Sequence, residues 1–163
     1  MLTVKQVFDL ALQMGVAADP RGTAKIKKYL ARNKKEYEEM KPADRAYFDQ
    51  EKLSNLYDDS RVHAGDLKTP VKRVLTGIDI GGSEILLASQ LEERGKKIDL
   101  VLAHHPVGGG LASLHGVMDL MVDVYETLGM PVHVAEKLME ERIKEVGRSV
   151  HPINPTATIQ INW

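Results

Sequence analysis

Apolar residues recur at helical spacing through the first third of the chain and at strand spacing only after Pro70. Val4, Val7, Phe8, Leu10 and Ala11 mark one face of a first helix, with Gly15 as its stop. The stretch Thr23–Met40 predicts a second helix, interrupted by Pro42. SNLYDDSRVHAGDLKTP then brings together Gly, Pro, Asn and three Asp, and reads as a linker. The expected organisation is an N-terminal helical arm over 1–60 and an α/β domain over 61–163.

VKRVLTGIDI is a β-rich run closed by Gly81-Gly82. Ser83 is a plausible N-cap for a helix carrying Ile85, Leu86 and Leu91 and stopped by Gly95. Asp99–Ala103 is short and almost continuously apolar, the pattern of a strand buried on both faces. After a Gly-rich loop, Leu114, Val117, Met118, Met121, Val122, Tyr125 and Leu128 form one helical stripe that Gly129 closes. Pro131-Val-His-Val reads as a third strand. Residues 136–146 follow as a third helix, with Leu138, Met139, Ile143 and Val146 inward and Gly147 as the stop. The expected fold class is therefore α/β: a mainly parallel sheet in βαβαβα order, flanked by helices with right-handed crossovers and preceded by the helical arm. The tail HPINPTATIQINW alternates Thr and Ile and is expected to add an edge strand.

Composition narrows the partners. The 163 residues, 43% hydrophobic, suffice for one domain with a core. Between Ala24 and Lys52 nine Lys/Arg face six Asp/Glu, a local +3, which fits a solvated helix face of alternating sign better than a nucleic-acid patch. The whole chain carries −1, so a basic footprint for nucleic acid is missing. The absence of cysteine excludes disulfides, zinc-thiolate sites and thiol catalysis. No apolar run approaches the ~20 residues of a membrane span. The start does not read as a signal peptide, and a cytoplasmic location is expected.

The candidate chemistry centres on Ala103-His104-His105-Pro106. Two adjacent histidines stand just past a strand, where open α/β sheets bind ligands. In an extended chain neighbouring side chains diverge, so the pair suits two metal ions, or one ligand and one supporting group. Pro106 keeps His105 out of the helical region, and Gly108-Gly109-Gly110 lets backbone approach a ligand. Neutral imidazole is the commonest metal ligand and usually keeps a carboxylate behind it. On spacing alone, two ordinary loop histidines remain the alternative. Glu136, three residues after His133, is placed to face the pair from a neighbouring strand end; the alternative is a carboxylate complementing a helix dipole. His115, Asp119 and Asp123 share a helix face and read mainly as its solvent side, while His63 and Asp66 fall in the linker. His151 is assigned no role. Thr76-Gly77-Ile78-Asp79-Ile80-Gly81-Gly82-Ser83 resembles the phosphate-binding corner of actin-like sugar kinases, and equally describes a tight strand-to-helix turn.

Residues 71–106 are more specific together than any single motif. VKRVLTGIDIGGSEILLASQLEERGKKIDLVLAHHP resembles the opening segment of the NGG-interacting-factor-three family, sometimes labelled GTP cyclohydrolase type 2. The shared order is a strand ending in an Asp-containing turn, a helix ending in Gly, and Asp-Leu-Val-Leu-x-His-His-Pro. The likeness spans about residues 55–151 and is strongest at the HHP segment. It implies an α/β subunit of a homo-oligomer with a dinuclear site for divalent metal ions (Zn, Fe, Mn, Co or Ni), in which His104 and His105 are ligands and Glu136 matches a bridging carboxylate. In that family a second half supplies a late His and Glu, so the resemblance covers the N-terminal half. The implied function is metal binding, extending to metal-dependent hydrolysis of a nucleotide-like or phosphorylated small molecule. A non-catalytic assembly or regulatory module, with residues 20–52 as the partner surface, is the alternative.

Overall fold

The computed structural model describes residues 1–112 and 114–150; the edge strand expected in the tail, and His151, lie outside the described residues. Helix α1 covers Val4–Ala18 and α2 Gly22–Glu39. A short α3 (Pro42–Arg45) and a 3-10 turn (Gln50–Leu53) complete the arm. Then come β1 (Val74–Gly77), α4 (Gly82–Glu93), β2 (Leu100–Ala103), α5 (Gly108–Ala112), α6 (Leu114–Val117), α7 (Asp119–Thr127) and α8 (Val132–Val150).

Local chemistry explains three of the helix boundaries. Thr3 caps α1: its hydroxyl accepts from the Gln6 amide, and the Gln6 side chain accepts from the Thr3 amide. Gly95 and Gly129 take positive φ, 74° and 91°. At the first, Gly95 N–H donates to Glu92 O and Lys96 N–H to Leu91 O; at the second, Gly129 donates to Glu126 O and Met130 to Tyr125 O. Both are Schellman ends, which need a residue free to adopt the left-handed region. Gly15, in contrast, does not stop α1. It lies where a Cβ would sit 3.2 Å from the Tyr57 ring, so it serves packing, and the helix runs on to Ala18.

The mainly parallel βαβαβα sheet is not what forms. Among the described residues there are two strands, β1 and β2, paired in parallel. The expected third strand at 131–134 opens α8. A four-residue apolar run has no period of its own, and Pro131 suits a helix start: its carbonyl accepts from the Val134 and Ala135 amides at 2.9 and 3.1 Å. Continuing the helix buries Ala135 and Met139, with Ile143 and Val146 half-buried one and two turns on. This face packs against α6 and α7. Leu138, expected inward, faces outward, and Gly147 lies inside α8. The single helix expected over 114–128 is broken at Met118 into α6 and α7. The Gly108–Gly110 loop is instead the start of α5.

The core is thin. Among the described residues the buried apolar ones are Val4, Ile26, Leu56, Ala135 and Met139. No residue of β2 is buried, against the expectation of a strand covered on both faces, and Leu102 is 48% exposed. Polar contacts therefore carry much of the tertiary order. The chain start pairs with the segment before β1 through an antiparallel Thr3–Pro70 bridge and amide bonds from Val4 to Thr69 O and from Lys5 to Leu67 O. Lys25 of α2 reaches Asp123 and Glu126 of α7. Asp19, its side chain only 2% exposed, accepts from the Arg21 guanidinium at 2.8 Å and from the Tyr57 hydroxyl at 3.0 Å. Arg61 donates to the Asp49 carboxylate and to Asp58 O.

The Asp19 cluster yields a stability prediction. Asp19→Ala leaves a largely buried guanidinium and a phenol without their acceptor, and should cost about 3 kcal/mol; Tyr57→Phe should cost about 1 kcal/mol. Burial, then the bond to Asp19, raises the Tyr57 hydroxyl from 10.0 to about 12. The folded state thus holds this proton more tightly than the unfolded chain. Its stabilisation is whole below pH 10 and is lost as pH rises towards 12. Urea unfolding across that range should show a decline that Tyr57→Phe removes.

Candidate functional site

The β1–β2 register builds the site. Val74 pairs with Leu100 and Gly77 with Ala103. At the lower end, the Asp99 carboxylate accepts from the Lys72 and Arg73 amides, both at 2.9 Å, and the Asp99 amide donates to Arg73 O. These amides hold the Asp99 carboxyl below its ordinary value. At the upper end the strands stay zipped beyond their formal limits: His104 N–H donates to Gly77 O at 2.9 Å and His105 N–H to Ile78 O at 2.8 Å.

Those two bonds change the expected geometry of the histidine pair. In a regular strand successive amides point in opposite directions. Here consecutive amides both face β1, so the alternation has ended and the side chains no longer diverge. The rings lie 5.2 Å apart, centroid to centroid, tilted by 32°. Both are exposed at the carboxyl ends of the strands. The same continuation sets Asp79 opposite His105, and its carboxylate is 2.9 Å from His105 Nδ1. In the sequence Asp79 belongs to the phosphate-corner motif and to the Asp-containing turn of the family resemblance, with no stated relation to His105. Its relation to His105 needs the offset of paired residues between the strands, which no local pattern carries.

Glycine keeps the Asp79 turn tight. A Cβ on Gly77 would come within 2.8 Å of the Ile80 side chain and 3.1 Å of the Asp79 carbonyl. Beyond the turn, α4 starts at Gly82, and Ser83 lies inside its first turn rather than capping it. Glu84 reaches back to accept from the Gly81 amide at 2.8 Å and from the Ser83 hydroxyl at 3.0 Å. Those contacts lower the Glu84 carboxyl. The place where the phosphate-corner reading puts an anion already holds the chain's own carboxylate.

On the other side, Gly110 fixes the segment after the pair. It is buried, and a Cβ there would lie 2.8 Å from the Asp59 carbonyl oxygen. The linker thereby packs against α5. His63 in that linker is exposed to solvent on one side, and partial desolvation, followed by the nearby Arg61 charge, lowers its ring below the ordinary value.

The remaining candidates stand apart. Glu136 is exposed on α8, because the strand expected to carry it to the sheet's end is helical. His133 is exposed on the same helix. Asp123 is engaged by Lys25. Among the described residues no three His, Asp or Glu side chains gather closely enough to hold a metal ion. The donors at the strand ends, two imidazoles backed by one carboxylate, suit part of the coordination of a single borderline divalent ion and do not make a dinuclear site by themselves. Comparison with known proteins finds no matching family model, curated protein or solved structure.

The tight turn is directly testable. Gly77→Ala must push aside Ile80 or the Asp79 backbone and should destabilise the fold by about 1–3 kcal/mol. Amide shifts of Ile78–Gly81 and His104–His105 should move together in a heteronuclear spectrum, while those of α1 stay in place.

Proposed function

We propose that this chain binds a divalent metal ion through His104 and His105, as the resemblance to the NGG-interacting-factor-three family implies. The observation that supports the reading most is the broken alternation at the end of β2. It turns two adjacent imidazoles towards one another on an exposed strand end, where a single ion can meet both. Further ligands would come from water or from another copy of the chain. A bound ion would supply Lewis acidity and a water acidified towards neutral pH. That chemistry suits hydrolysis of a nucleotide-like or phosphorylated small molecule. Among the described residues no helix is long and apolar enough to cross a membrane.

Metal content per subunit tests the proposal, measured by plasma mass spectrometry on untagged protein incubated with Zn or Mn and desalted. The wild type should retain about one equivalent, or about two if copies combine to complete a dinuclear centre. His104→Ala/His105→Ala should lose it, with circular dichroism unchanged because both side chains are exposed. Retention of metal by the double variant would sink the assignment.

A second reading, self-association or another assembly role, is favoured by a different observation. Around the two-stranded sheet Ile78, Leu86, Leu87 and Leu102 are all exposed, Ile78 at 63%. Parallel sheets are ordinarily covered on both faces, and apolar surface of this kind marks interaction sites. Light scattering should give a mass above that of one subunit. Leu86→Glu/Leu102→Glu should lower it while leaving metal content intact; a monomeric wild type would remove this reading.

A further inference from the structure

We infer that Asp79 is the positioning residue of His105, fixing which ring nitrogen is offered to a ligand. An ionised carboxylate only accepts hydrogen bonds. The 2.9 Å contact between Asp79 Oδ1 and His105 Nδ1 therefore requires the proton on Nδ1. In the neutral ring that leaves the lone pair on Nε2, pointing away from Asp79. Free imidazole side chains tend towards the opposite tautomer, so the carboxylate is what selects this one. The arrangement is not a chance meeting of two flexible groups. His105 N–H bonds to Ile78 O and His104 N–H to Gly77 O, so the backbone of the pair is fixed against the backbone of the Asp79 turn. Glycine at 77 allows that turn to close. Among the described residues His104 has no carboxylate contact of this kind, so the two imidazoles differ: Asp79 orients the ring of His105 alone.

The oriented Nε2 is set up for coordination, because a ligating imidazole uses one nitrogen and is held by a partner on the other. The affinity consequence rests on the metal reading above; the tautomer does not. Asp79 is exposed, at 84% of its side chain, so its replacement should leave the fold intact.

The experiment takes the metal-free full chain, labelled with nitrogen-15, and reads the His105 ring by long-range proton–nitrogen correlation at a pH where the ring is neutral. His105→Gln assigns the signals. In the wild type the protonated nitrogen should be Nδ1. Asp79→Ala should shift the balance towards Nε2–H at His105 and leave His104 unchanged, while Asp79→Asn, which keeps an acceptor oxygen, should fall between. Zn or Mn competition with a chelator then gives the second readout. Asp79→Ala should weaken binding by about 10–100-fold, and Asp66→Ala, a loop control, should not. A wild-type His105 that is already protonated on Nε2, or a tautomer indifferent to Asp79→Ala, overturns the inference. Tautomer control by Asp79 with no metal binding in any form would uphold it and sink the metal reading instead.

Discussion

The parallel pairing of β1 with β2 is the constraint on which the rest of the site depends. Four residues in each strand is a short ladder, and Asp99 anchors its lower end by gathering the Lys72 and Arg73 amides. From that anchor the register runs upward without slippage. It carries Ala103 to Gly77, then the His104 and His105 amides to Gly77 and Ile78. A shift of one residue would turn every side chain of one strand to the other face. It would also separate Asp79 from His105. The side-chain dyad is a consequence of backbone hydrogen bonds that run from Asp99 up to the His105 amide.

Around this ladder the molecule is held more by polar contacts than by a large core. The arm helices are fastened at discrete points: Thr3 to the segment before β1, Asp19 to Arg21 and Tyr57, Lys25 to α7, and Arg61 to Asp49. Pairs with low exposure, such as Asp19–Arg21, are costly to break from one side, because the surviving charge stays desolvated. Exposed pairs such as Lys5–Asp9 contribute far less. Apolar packing is clearest where α8 lies against α6 and α7, with Ala135 and Met139 buried. Among the described residues Leu102 of β2, and Ile78, Leu86 and Leu87 beside the sheet, are exposed, and they are the physical basis for the assembly reading.

The same geometry bears on chemistry. Two imidazoles with a carboxylate behind one of them form an asymmetric donor pair. An ion held there would meet one ring whose orientation is fixed and one that adjusts. A single ion of borderline character fits such a pair, provided water or another chain completes its coordination. Glu136, on the outer side of α8, is not part of that arrangement.

What the sequence determined was local. The two long arm helices followed from periodicity, although α1 runs past Gly15 to Ala18; the Gly95 and Gly129 ends follow from φ freedom. The strand before the Asp79 turn and the strand before the histidines were legible as β-rich or apolar runs, and His104-His105-Pro106 was legible as a candidate site. The failures had one cause. Pro131-Val-His-Val is too short to show a period, so only packing against α6 and α7 decided that it begins α8 and that Glu136 leaves the sheet. Burial of β2 depends on what lies against it, which its own residues do not encode. The partnership of Asp79 with His105 joins residues 26 apart in the chain through a register that exists only once the strands have paired.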